Sequence, residues 1–150
     1  MSRPWLSERI QAEVRERAQG LCEYCHASEQ WQYVQFTIDN VIPLSMGGSN
    51  DSTNLALACF HCNRRKGLAQ EAIEPESGEK VALFNPRLDT WRQHFRWSED
   101  YLHLIGITPT GRVTIETLAL NRERIIGIRA ADYAVGRHPP PEDIHPIEPD

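Results

Sequence analysis

The chain has 150 residues, 40% of them hydrophobic and 25% charged, enough for one domain with a real core but too few for two full-sized domains. That composition excludes a wholly disordered, collagen-like or heptad-repeat chain, and no apolar run approaches the roughly 18 residues of a membrane span. The formal charge of -5 is unevenly spread: residues 138–150 carry four acids (Glu142, Asp143, Glu148, Asp150) and no Lys or Arg, leaving 17 acids against 16 cations in residues 1–137. A nucleic-acid partner is therefore not excluded, because a local basic segment is what meets phosphate. Arg64, Arg65 and Lys66 form such a segment, with no acid between Asp51 and Glu71. Residues 1–6 run into a charged stretch and not into an apolar signal core, so the expected location is the cytoplasm.

In chain order, Ser7 is expected to cap a helix to about Gln19, with Ile10, Val14 and Ala18 on one face and Gly20 as the stop. Residues 33–42 alternate apolar Val34, Phe36 and Ile38 with Gln35, Thr37 and Asp39, the pattern of a half-buried strand that Pro43 limits. Residues 47–51 read as a loop, 55–58 as a second strand and 63 to about 72 as a helix. After the turn cluster at 75–78, Trp91, Phe95 and Trp97 predict aromatic core packing and residues 101–107 a β-like run. Thr108 opens a helix to about Leu120, and Asn121 caps another carrying Ile125, Ile126 and Ile128 to about Val135. Residues 138–150, with five prolines and four acids, read as an extended tail.

All four cysteines fall in two pairs, Cys22/Cys25 and Cys59/Cys62. The two-residue gap in each lets both thiolates face one tetrahedral zinc ion. With no signal peptide and two matched pairs, this structural zinc site is favoured over disulfides or a redox dithiol. The 33 residues between Cys25 and Cys59 exceed a simple zinc ribbon's loop, so the insert is expected to carry the function.

That insert contains Asp39-Asn40-Val41-Ile42-Pro43-Leu44-Ser45, Gly47-Gly48-Ser49 and Asn54-Leu55, and the second knuckle continues as Cys62-Asn63-Arg64-Arg65-Lys66-Gly67. Residues 22–67 resemble the HNH nucleases, whose pattern is a pair of C-x-x-C knuckles around Asp-His, I-P-L-S, G-G-S, Asn-Leu and C-x-x-C-Asn followed by basic residues. The downstream motifs at 83–87, 95–97 and 108–112 are similar to one cytoplasmic bacterial branch of that family. The resemblance implies an α+β fold: a small ββα-metal core over residues 1–72, stapled by the four-cysteine zinc site, with residues 73–137 adding a strand and helices packed on it and 138–150 a Pro- and acid-rich tail. It also implies hydrolysis of DNA phosphodiester bonds with one catalytic divalent cation.

By that match, Asp39 and Asn63 hold the cation; one hard anionic and one neutral oxygen donor suit Mg²⁺ or Mn²⁺, with water and phosphate completing the shell. Asn54 is the middle residue, which positions the general base and its loop by hydrogen bonding. Position 40 departs from the pattern: the family has the His that takes a proton from the attacking water, and this chain has Asn40. An amide has no basic lone pair near neutral pH, and loss of a general base costs about 10² to 10⁴ in rate. Two readings follow, an HNH endonuclease lacking its base or a zinc-stabilised nucleic-acid or protein interaction module without catalysis. The exchange itself is either an introduced substitution or natural decay.

Arg64, Arg65 and Lys66, at the start of the expected helix, are the candidate phosphate contacts. His26 and His61 adjoin the knuckles and are expected to support the zinc site or lie at the surface instead of replacing the base. His94 and His103 fall among the aromatics, and His138 and His145 in the tail. Adjacent strand residues face opposite sides, so Asp39 and Asn40 can share a site only at a strand end or a bulge.

Overall fold

The computed structural model describes residues 6–144. Its elements are α1 (Glu8–Arg17), β1 (Thr37–Asn40), β2 (Leu55–Ala58), α2 (Phe60–Lys66), β3 (Glu71–Ile73), β4 (Lys80–Ala82), α3 (Trp91–His94), β5 (Phe95–Trp97), β6 (Leu104–Gly106), α4 (Pro109–Thr117) and α5 (Glu123–Ala134). The strands form three antiparallel pairs, β1 with β2, β3 with β4 and β5 with β6, and helices alternate with them. This is an α+β architecture.

The first helix starts where its cap dictates: the Ser7 hydroxyl accepts from the Ile10 amide at 3.1 Å. Val14 and Ala18 are buried and Ile10 packs against the same core, as one face of a 3.6-residue period requires. Expected residues 33–42 contract to Thr37–Asn40. The register from Thr37↔Ala58 to Asn40↔Leu55 pairs all four residues of β2, so the chain before Thr37 has no ladder to join. Tyr33 and Val34 are exposed there. The β2 segment is where the sequence places it, and its four residues are all buried.

A two-stranded hairpin is marginal in water by itself. This one is held from several sides, because Leu55 and Leu57 lie in one continuous core with Val14, Tyr24, Leu83, Phe84, Trp91, Phe95, Leu104, Val113, Leu118 and Leu120. Burying each of the two leucines contributes about 2 kcal/mol. Polar contacts join the two halves as well: Trp91 Nε1 donates to the Tyr24 carbonyl at 3.0 Å, and Arg87 pairs with Glu23, whose other oxygen accepts from the Leu57 amide. The expected aromatic core is present, with Trp91, Phe95 and Trp97 ring to ring.

Three expected elements change. The helix expected over 63–72 runs instead from Phe60 to Lys66, because the Cys59 sulfur acts as its N-cap, accepting from the Cys62 amide. Gly67, at φ 52°, ends it, and Glu71 and Ala72 go into β3. Asn121 does not cap α5; its side chain instead bonds both the amide and the carbonyl of Leu104 at 2.8 Å. The expected run 101–107 shortens to Leu104–Gly106, which pairs with Phe95–Trp97. In the first turn of α4 Gly111 is needed for close approach to the end of α3, since a Cβ there would lie 2.0 Å from the His94 carbonyl oxygen.

Of the stretch read as an extended tail, residues 138–144 lie against the body. The Asp143 carboxylate accepts from Trp97 Nε1 at 3.0 Å and meets His26 Nδ1 at 2.9 Å, so acid residues that cannot form a core are nonetheless docked through specific polar contacts. His145, Glu148 and Asp150 lie outside the described residues, as do residues 1–5.

Candidate functional site

The four cysteines converge. Their sulfur atoms all lie within 4.8 Å of one another and all four residues are buried. The first pair is carried on the turn after α1, where the Cys25 amide points at the Cys22 sulfur (3.5 Å), and the second on the first turn of α2, where the Cys62 amide points at the Cys59 sulfur (3.4 Å). Both amides favour negative sulfur. Hydrogen bonds from Cys22, Cys59 and Cys62 hold the Cys25 thiol well below the ordinary range, while burial pushes Cys22 well above it. Only a cation at the centre lets all four become thiolates together, which is how metal binding and folding are coupled in such sites. The donor set fits a metal ion.

Beside this cluster, β1 ends at Asn40, and the strand end resolves the alternation problem: Asp39 points into the protein and Asn40 is half-buried at the rim. Tyr24, between the two cysteines of the first knuckle, donates its hydroxyl to Asp39 Oδ2 at 2.8 Å. Burial, followed by the Asp39 charge, pushes the Tyr24 phenol well above its usual range, so it remains a donor. Lys66 approaches the same Asp39 oxygen from α2 with Nζ at 3.1 Å, and it also donates to the Val41 carbonyl at 3.0 Å. Sequence reasoning did not single out Tyr24. Its signal was a phenol inside a knuckle, between two cysteines that are themselves buried.

Lys66 thus parts company with its neighbours. Arg64 and Arg65 are exposed, but the Lys66 side chain is 3% exposed, so the expected phosphate-binding trio reduces to two at the surface. The reason is helical period: Lys66 lies three residues after Asn63 on α2, on the face turned towards β1. The three cations also sit in the last turn of α2, away from the helix N-terminus, and the amides at that N-terminus serve the cysteine cluster. Asn63 itself is half-buried.

The loop after β1 is organised by Asn54, which is 9% exposed. Its Oδ1 accepts from the Ile42 amide (2.9 Å), and its Nδ2 donates to the carbonyls of Ile42 (2.9 Å) and Ser49 (2.8 Å). Asn40 Nδ2 donates to the same Ser49 carbonyl at 2.8 Å and to Asn50 Oδ1 at 2.9 Å. Gly48 permits the close packing, for a Cβ there would lie 1.8 Å from the Ile42 carbonyl oxygen. The Asn54 amide therefore stitches both ends of the 42–49 loop together.

Four of the histidines are engaged elsewhere. His61 Nε2 donates to the Leu118 carbonyl at 2.9 Å, and burial lowers its pKa. His26 stacks on Trp91 with centroids 3.7 Å apart. His94 Nδ1 meets the Thr108 hydroxyl at 2.6 Å, and His138 Nε2 donates to the Tyr101 carbonyl. A cavity of about 350 Å³ lined by His26, Trp31, Trp97, Arg129 and Arg137 includes none of Asp39, Asn40, Asn54 and Asn63. Among the described residues the four cysteines are the one convergent group of three or more His, Cys, Asp or Glu side chains. Asp39 and Asn63 each carry a side-chain oxygen of the kind Mg²⁺ or Mn²⁺ takes. No helix among the described residues is long and apolar enough to cross a membrane.

Residues 22–68 match the family model described as HNH endonuclease. The matched segment contains both knuckles, Asp39, Asn40, Asn54 and Asn63, and residues 69–150 lie outside it. No curated protein matches the chain.

Proposed function

We propose, taking the HNH endonuclease match over residues 22–68 as the premise, that this chain is a metal-dependent DNA endonuclease framework in which the general base is missing. The observation that carries this reading is the pair of bonds to the Ser49 carbonyl from Asn54 and Asn40. An imidazole at position 40 would give its Nδ1–H to that carbonyl and leave Nε2 free to take a proton from water, with Asn54 fixing the acceptor. Asn40 makes the donor half of this arrangement and has no basic nitrogen for the other half.

Asp39 and Asn63 would hold Mg²⁺ or Mn²⁺, which when bound stabilises charge on the phosphate and the leaving oxygen. Asp39 is held for that task by Tyr24 and Lys66, while Arg64 and Arg65 at the exposed end of α2 meet DNA phosphates. Zinc is the metal that fits four buried thiolates, and its site is structural because no ligand position is open to substrate. Cysteines kept as metal ligands and not as disulfides accord with a reducing, cytoplasmic setting.

The test is plasmid cleavage in Mg²⁺ or Mn²⁺ by the chain and by its Asn40→His variant. Cleavage that appears only with the variant supports the reading. A folded, metal-loaded variant without cleavage favours the second reading, a nucleic-acid or protein interaction module, which the absence of a basic group at Asn40 recommends.

A further inference from the structure

Arg129 of α5 is 4% exposed. Its guanidinium gives Nη1 to the Leu102 carbonyl at 2.9 Å and to Asn121 Oδ1 at 3.1 Å, and Nη2 to the Leu120 carbonyl at 2.7 Å. Its Cζ lies over the Trp97 ring, 4.9 Å from the centroid. Every one of these partners is neutral. Among the described residues no carboxylate is in ion-pair contact with Arg129, although Asp132 and Glu142 line the same cavity. A buried charge needs an opposite one, and the one at hand is sulfur, for Cys25 forms a further part of that cavity's wall. Burial pushes the Arg129 pKa down to about 10; the sulfurs of Cys25 and Cys62 oppose this, while Arg122 adds to it. The cysteines have the complementary need, since zinc with four thiolates carries a net double negative charge and all four residues are buried. The Cys25 and Cys62 amides offer the sulfurs dipoles but no charge.

We propose that Arg129 is a positioning residue that supplies counter-charge to the zinc-bound thiolates, so that α5, outside the matched residues 22–68, completes the metal site. This rests on the reading of the four cysteines as a zinc site. With zinc bound, the cation and the cluster stabilise each other, and the thiolates are held against protonation and loss of the metal. In the metal-free chain, neutral thiols leave Arg129 buried without an opposite charge, so emptying the site loosens the packing of α5 as well as the knuckles.

Replacing zinc by Co²⁺ tests it, because the sulfur-to-cobalt charge-transfer absorption responds to charge around the sulfurs. A cation beside sulfur stabilises its electrons, so Arg129→Met, which removes the charge and keeps a long side chain, should move the absorption to longer wavelength. Arg129→Lys should leave it near the parent's. Zinc release to a chelator should be about 10-fold or more faster in Arg129→Met and near the parental rate in Arg129→Lys. A folded, metal-loaded Arg129→Met protein with its absorption unmoved overturns the proposal, whatever happens to its melting temperature, which loss of the hydrogen bonds alone would lower. Should Arg129→Met fail to fold, Arg129→Lys decides: folded and metal-loaded, it supports the counter-charge; unfolded, it assigns Arg129 to hydrogen bonding and overturns the proposal. A native chain that takes up neither Co²⁺ nor zinc overturns the zinc reading beneath it.

Discussion

Asn40 and Asn54 share an acceptor: both side-chain amides donate to the carbonyl oxygen of Ser49 at 2.8 Å. The loop between β1 and β2 is thus tied to the last residue of β1, and position 40 has its hydrogen-bonding direction set by a residue fourteen positions later.

Restoring a base in that direction is the first prediction. Asn40→His should raise metal-dependent plasmid cleavage by about 10² or more, with the rate climbing as pH rises through the imidazole's ordinary pKa of about 6.5. Zinc content and DNA affinity should change little. In the restored background Asn54→Ala should lower the rate again and also lower the melting temperature, because it leaves the Ser49 carbonyl and two Ile42 backbone groups without this partner. A rate independent of pH between 5.5 and 8 would place the proton transfer elsewhere.

The second concerns the cysteines. Protein purified without added metal should contain about one zinc ion per chain by elemental analysis, and a strong chelator should abolish the cooperative melt. Cys59→Ala should be more damaging than loss of one ligand, since that sulfur also caps α2.

Arg64 and Arg65 are predicted to act together. Changing both to Ala should reduce the slope of log K against log salt by about 2, one unit for each phosphate contact. An unchanged slope would mean the DNA lies across another face.

Lys66 should respond differently from its two neighbours. Lys66→Ala leaves the Asp39 carboxylate buried without its cation, a change that costs about 3–5 kcal/mol in buried pairs. Denaturant titration measures the loss. A variant as stable as the parent would show that the pair contributes nothing to folding.

The docked end of the chain gives a stability prediction remote from the site. Asp143→Ala removes the acceptor of Trp97 Nε1 and the partner of His26, and should destabilise by about 1–3 kcal/mol. Thermal melts of the two proteins decide it.

Much of the site could be read from the residues in order. The two cysteine pairs, the cap at Ser7 and the short β2 followed from local rules, because each is decided by neighbours within a few positions. What escaped depended on distant partners. Nothing local to residues 64–66 says that Lys66 turns inwards while Arg64 and Arg65 face water; that follows from a helix beginning at Phe60, and its start is set by a cysteine serving as cap as well as ligand. The short β1 follows from the length of its partner, and Asn121 left its expected cap to hold Leu104. Asp143 joined the body because Trp97 and His26 offer it donors from two separate elements.

Tyr24 stands between the paired cysteines of the first knuckle, and its hydroxyl ends on Asp39. Gathering the sulfurs and fixing that carboxylate are therefore linked, since the turn that brings Cys22 and Cys25 together also carries the phenol to Asp39. Pulling the sulfurs apart should loosen the grip on a side chain carried by a different strand, leaving Lys66 to hold it from α2.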